Sequence, residues 1–151
     1  MLQFGQPSPG KDHADRPAAF GIASRDGEVG LVRVRPEAGG DWLDLPGGAV
    51  DPGEDERQAL VREFGEEAAL VVTVGSALVE VRQFFVKSDG QAVNNRGSIY
   101  VVAVEGEDAN LKIEADHELV WLDPNEAVRR LRHDSHAWAV AKWLRGTECR
   151  G

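Results

Sequence analysis

Short apolar runs from Ala18 to Ser24 and from Val29 to Val34 are separated by Asp26-Gly27, a dipeptide that tolerates positive φ at both positions and so suits a tight hairpin between two antiparallel strands. From Glu37 to Gly53 the chain is punctuated by Gly39-Gly40, Pro46, Gly47-Gly48 and Pro52-Gly53, which argues against regular structure there. Asp55, with Gln58 three residues on, forms a capping-box pattern that starts a helix running to about Ala68. Val71 to Val86, interrupted at Gly75, and Ser98 to Val104 are apolar and β-branched; they read as two strands joined by a polar turn region holding Ser88-Asp89-Gly90 and Asn94-Asn95. Leu119 to Leu122 is a short strand that stops at Asp123-Pro124-Asn125-Glu126, where Asp caps, Pro takes the first helical position and Glu completes the box of a helix to about Leu131. Asp134 or Ser135 caps a last helix bearing Trp138, Val140, Ala141 and Leu144, with Lys142 and Arg145 toward its C-terminal end. Strands and helices interspersed in this way, with an antiparallel pair at Asp26-Gly27, predict an α/β (α+β) chain.

Composition bounds the picture. The 151 residues (16.4 kDa) suffice for one hydrophobic core, and 42% apolar with 28% charged residues is neither a disordered nor a membrane composition. Residues 1–16, with Pro7 and Pro9 and no periodicity, read as a flexible lead-in with Leu2 or Phe4 able to dock, and 17–147 as a single domain. A net charge of −9 and a pI near 4.9 argue against an extended nucleic-acid partner or an anionic membrane. The single cysteine, Cys149, allows no intrachain disulfide, and no basic-then-apolar leader or long apolar span is visible, so the expected setting is cytoplasmic.

The charge is not spread evenly. Residues 48–70 hold seven acids against Arg57 and Arg62, a net −5 of the chain's −9. On a helix Glu63, Glu66 and Glu67 fall within an arc of about 100°, with Leu60, Val61, Phe64 and Ala68 on another face and small Ala59 beside the acids. These acids occupy the last turn and a half, where the helix dipole favours cations, and carboxylates three and four apart repel by roughly 0.2–0.5 kcal/mol per pair. Arg62 offsets only part of this. The placement makes sense if a cation binds between the acids, and all-oxygen ligands suit Mg²⁺ or Mn²⁺.

The same residues resemble the Nudix box, G-x5-E-x7-R-E-U-x-E-E-x-G-U with U a bulky apolar residue: Gly48, Glu54, Arg62, Glu63, Glu66 and Glu67 stand at the required spacing, with Phe64 and Leu70 at apolar positions. Ala69 replaces the last glycine, and Phe64 is bulkier than the usual aliphatic. Leu45-Pro46-Gly47-Gly48 and the exit from Trp121 to Glu126 also look like the family's surroundings. The resemblance implies a Nudix-type α/β/α sandwich with a mixed, partly antiparallel sheet and the Nudix loop-helix-loop, and metal-dependent hydrolysis of a diphosphate linkage in a nucleoside diphosphate joined to another group. By resemblance Glu66 and Glu67 would be the principal metal ligands, joined by Glu63 and the Gly48 carbonyl, while Glu54 and Arg62 would hold the carboxylates in place. The family's general base is either the acid at Glu63 or one from a later loop, here Glu114, Asp116 or Glu118; Glu118, three residues before Trp121, has the spacing common in the family. Many members form homodimers, which leaves a homodimer open.

Simpler readings stand beside these. A charged helix is usually a solvated face, and Glu118 is as readily an exposed acid pairing Arg129 or Arg130 as a catalyst. His117, His133 and His136 read as surface or packing residues, and Trp42, Phe84, Phe85, Tyr100 and Trp138, though able to stack on a base, read first as core. The family's markers for ADP-ribose, dinucleoside polyphosphate, coenzyme A and NADH hydrolases do not match, which leaves a small nucleoside triphosphate as the substrate expected by elimination. Nucleotide-sugar or dinucleoside polyphosphate hydrolysis is the alternative within the class. A non-catalytic Nudix-fold nucleotide-binding module is the alternative outside it.

Overall fold

The computed structural model describes residues 1–37 and 39–150, with side chains through Thr147, so the Cys149 thiol lies outside the described residues. Strands β1 (Leu2–Phe4), β2 (Ala14–Arg25), β3 (Glu28–Val34), β4 (Trp42–Asp44) and β5 (Gly47–Ala49) precede helix α1 (Glu56–Ala68). They are followed by β6 (Leu70–Val86), β7 (Ala92–Glu107), a 3-10 turn at Ala109–Leu111, β8 (His117–Leu122), α2 (Pro124–Arg130) and α3 (Asp134–Arg150). The sheet runs β1-β6-β7-β2-β3-β4, with β5 paired to β2 and β8 to β3. It is mixed: β2 runs parallel to β7, β1 parallel to β6, and the remaining ladders are antiparallel.

Alternation along the strands divides the core between the two faces of this sheet. Ala19, Ala23, Val32 and Tyr100 gather with Leu60 and Phe64 of α1, whereas Ile22, Leu31 and Ile99 gather with Ala127 of α2 and Val140 of α3. The result is the expected α/β/α sandwich. Phe64 fits because Gly21 lies beneath it; a Cβ there would stand 2.8 Å from the Phe64 ring. Asp26 and Gly27 take φ of 53° and 81°, as the hairpin between β2 and β3 requires. The capping box at α1 is complete: Gln58 N donates to Asp55 Oδ1 (2.8 Å) and Asp55 N to Gln58 Oε1 (2.9 Å).

Several expectations need correction. The stretch from Glu37 to Gly53 is not wholly irregular, because β3 and β2 each recruit a three-residue strand from it. Asn94 and Asn95 lie inside β7, opposite Phe84 and Gln83, and the reversal is confined to the turn closed by Lys87 N donating to Gln91 O. Their polar side chains are tolerated there because Gln3 bonds Asn94 and Arg16 bonds Asn95. Within the lead-in, Leu2–Phe4 pair with Val81–Gln83, Phe4 packs near Trp138, and β2 begins at Ala14. Glu126 does not complete a capping box; Asp123 caps α2 alone and Glu126 turns to Arg129. On α1, Ala59 is buried and Val61 exposed, the reverse of the expected faces. No helix among the described residues is long and apolar enough to cross a membrane.

Candidate active site

Helix α1 ends against the turn between β4 and β5, and that junction gathers the acids. Gly47 has a φ of +144°, and a Cβ there would lie 2.1 Å from the Ala19 carbonyl, so only glycine lets β5 lie this close to β2. Its N–H donates to Glu67 Oε1 at 2.9 Å. Gly48 faces Glu63 so closely that a Cβ would stand 3.1 Å from the carboxylate carbon. Two backbone positions thus meet two side chains one helical turn apart.

Arg62 is the hub on the solvent side. Its guanidinium forks onto Glu54 (Nε to Oε2, 2.8 Å; Nη2 to Oε1, 2.9 Å), while Nη1 reaches Glu63 (2.8 Å) and Glu66 (3.1 Å) and Nη2 also reaches the Ala49 carbonyl (3.1 Å). The Arg62 hydrogen bond, with one from Asp51 N–H, holds the Glu54 carboxyl below the usual range. Glu63 is different: burial, then the charge of Glu67, push its pKa up to about 7 despite Arg62. With Asp51 at 3.4 Å from Nη2, four carboxylates and a backbone carbonyl share a single guanidinium. An oxygen-only donor set with surplus negative charge fits a hard divalent cation.

Glu67 is only 6% exposed and makes no bond to Arg62; its second oxygen, Oε2, lies 3.2 Å from His117 Nε2. His117 Nδ1 in turn meets Asp116 Oδ1 at 2.8 Å. Burial opposes a charged His117, but the bond to Glu67 and the charges of Glu67 and Asp116 outweigh it and push the pKa up to about 9. Beside this pair opens a cavity of about 190 Å³ bordered by Gly47, Gly48, Glu67 and His117. Phe20, Trp42 and Phe85 supply its aromatic walls, and Arg16, Lys87 and Arg132 its cations. Arg132 is bidentate to half-buried Asp44 (3.1 and 2.6 Å) with its guanidinium 4.3 Å from the Trp42 ring centroid.

A family model of the NUDIX domain matches residues 14–144. This chain belongs to the Nudix family. The CTP pyrophosphohydrolase of Escherichia coli (strain K12) is 36% identical to it over 113 residues, covering 72% of this chain and 76% of that protein. An RNA pyrophosphohydrolase of Sphingopyxis alaskensis is 27% identical over 119 residues, covering 70% of this chain and 75% of that protein. Among solved structures, a NUDIX hydrolase from Nitrosomonas europaea superposes with a TM-score of 0.74 at 18% identity, covering 87% of this chain and 90% of its own. It shares the fold.

The structure brings Gly48, Glu54, Arg62, Glu63, Glu66 and Glu67 of the Nudix box together. It sets Glu118 apart. That side chain is 57% exposed and pairs with Arg33 (3.6 Å), on the face of β8 opposite His117. Sequence reasoning missed His117 and Arg16. The signal for His117 was present: Leu119 and Trp121 pack toward the α1 face, and strand alternation puts residue 117, not 118, on their side. Of the aromatics, Trp42 and Phe85 reach the cavity, whereas Tyr100 sits in the core and Trp138 near Phe4.

Proposed function

We propose that this Nudix hydrolase cleaves a small nucleoside triphosphate to a nucleoside monophosphate and pyrophosphate, with Mg²⁺ or Mn²⁺ bound among Glu63, Glu66, Glu67 and the Gly48 carbonyl. The observation that carries the reading is that Gly48 and Glu67, members of that oxygen set, border a cavity that has aromatic walls and a cationic rim. The likeness to a CTP pyrophosphohydrolase supports the triphosphate over other diphosphate-linked substrates. When bound, the cation neutralises the diphosphate and lowers the pKa of coordinated water.

The protein's own groups account for the rest. Phe20, Trp42 and Phe85 offer faces on which a base can stack, and Arg16, held by Asn95 at 3.0 Å, and Lys87 present charge to phosphate oxygens. Water oxygen forms the new bond to phosphorus as the bridging P–O bond breaks. The proton lost by water goes to a carboxylate, and Glu63, packed against Gly48 of the cavity lining, is better placed to take it than Glu118, which is exposed on the opposite face of β8 beside Arg33. Arg62 and Glu54 keep Glu63 and Glu66 aimed.

The test is purified protein with Mg²⁺ and then Mn²⁺ against nucleoside triphosphates, nucleotide sugars and dinucleoside polyphosphates, with products separated by chromatography and Glu66→Gln as the inactive control. Preferred turnover of triphosphates to monophosphates is expected. Preference for either other class overturns the substrate. No turnover despite a metal-induced rise in melting temperature makes the protein a binding module.

A further inference from the structure

Of the two arginines within the Nudix box, Arg57 turns to the Val74 carbonyl, and Arg62 reaches Glu54, Glu63 and Glu66 but not Glu67. Yet Glu67 is the most buried of these acids, and a buried carboxylate left to rotate would present its oxygens to a cation in no fixed direction. What fixes it is a backbone N–H, from Gly47, and a side chain from outside the box, from β8.

We infer that His117 is a positioning residue for the metal site: held by Asp116 on one ring nitrogen, it sets the orientation of the Glu67 carboxylate with the other. His117 Nε2 lies 3.2 Å from Glu67 Oε2 and Nδ1 lies 2.8 Å from Asp116 Oδ1, so each ring nitrogen faces a carboxylate oxygen. Its platform is rigid. Six consecutive pairs join β8 to β3, with His117 opposite Val34, and the Asp116 carbonyl accepts the Arg35 N–H at 2.9 Å. A carboxylate has about four lone-pair sites; Gly47 and His117 use two, one on each oxygen, and leave one on each for a cation. The contact therefore survives metal binding rather than competing with it. Glu114 and Asp116 also approach His117, but with both nitrogens committed this trio is a support for Glu67 and not a second metal centre.

The inference rests on the proposed reading of Glu67 as a metal ligand, and the test separates the two. Mn²⁺ binding to the full chain is measured by electron paramagnetic resonance of the free ion, for wild type, His117→Ala, His117→Gln and Asp116→Ala, with a metal-free melt of each. The Kd for Mn²⁺ should rise 10–100-fold in His117→Ala, as for other residues that orient metal ligands. It should rise less in Asp116→Ala, which keeps the imidazole but not its anchor. His117→Gln, which can still donate to Glu67, should recover most of the affinity, a rescue that a merely structural role would not give. Hydrolysis by His117→Ala should return as Mn²⁺ is raised. Were His117 only a counter-charge that the metal displaces, His117→Ala would bind Mn²⁺ as well as or better than wild type, and that result overturns the inference. If His117→Ala does not fold, unchanged affinity in Asp116→Ala overturns it too. Wild type that binds no Mn²⁺ overturns the metal-site reading itself.

Discussion

Ala69 closes α1 with φ 58° and ψ 28°, the left-handed conformation that an L residue adopts at a cost of about 1–2 kcal/mol. It has little choice. Its N–H donates to the Gly65 carbonyl (3.0 Å), ending the helix, and its own carbonyl accepts the Asp108 N–H (2.9 Å), starting β6 in register with β7. Ala69→Gly removes the steric penalty but gives the unfolded chain extra freedom worth about 0.4–1 kcal/mol. The net expectation is a gain of about 0.5–1 kcal/mol, which in a chain of this size raises Tm by about 1–4 °C. The swap one residue earlier has the opposite sign: Ala68 is helical and buried, so Ala68→Gly should cost about 1 kcal/mol or more. Calorimetric melts without metal, with urea unfolding to check that the m-value is unchanged, measure both. If Ala69→Gly is no more stable than wild type, or if the two variants shift in the same direction, the left-handed cap is not storing strain and the reasoning fails.

Two other measurements test the frame around the site. Gly47→Ala forces a Cβ to within 2.1 Å of the Ala19 carbonyl, so it should cost about 2–3 kcal/mol in urea unfolding and weaken Mn²⁺ binding by unseating the N–H on Glu67; wild-type stability would contradict the close approach. Burial, with some help from Arg132, holds the pKa of His133 down to about 3 in the folded state, so between about pH 6.5 and 3 the unfolded chain carries a proton that the folded one refuses. Stability should then fall as pH drops below about 6.5, by about 1.4 kcal/mol per pH unit from this residue, and His133→Gln should show a correspondingly flatter dependence between pH 6.5 and 4.5. Equal slopes in the two proteins would refute it.

The features legible in the sequence are those whose physics is local. Asp55 and Gln58 meet within one turn, Asp26-Gly27 carries its own backbone preference, and the clustering of Glu63, Glu66 and Glu67 follows from helical spacing. The features that escaped are held by distant partners. Nothing near Trp42 or Gly47 says strand; β3 and β2 make them so. Asn94 and Asn95 look like turn residues until Gln3 and Arg16, both from near the start of the chain, satisfy them. His117 read as a surface or packing residue, and strand alternation was the signal that sets it apart from Glu118, since Arg33 lies across from Glu118 and Glu67 faces His117.

Apart from Glu67, the cavity is walled from outside α1: Trp42 from β4, Phe85 from β6, and Arg132 from the link between α2 and α3. A substitution at Trp42 or Phe85 reshapes the space beside the carboxylates of α1 and removes none of the hydrogen bonds that hold them. On the proposed reading, what is accepted and how it is cut are inherited separately, so preference can drift across generations, or be steered in the laboratory, without rebuilding the apparatus that reacts.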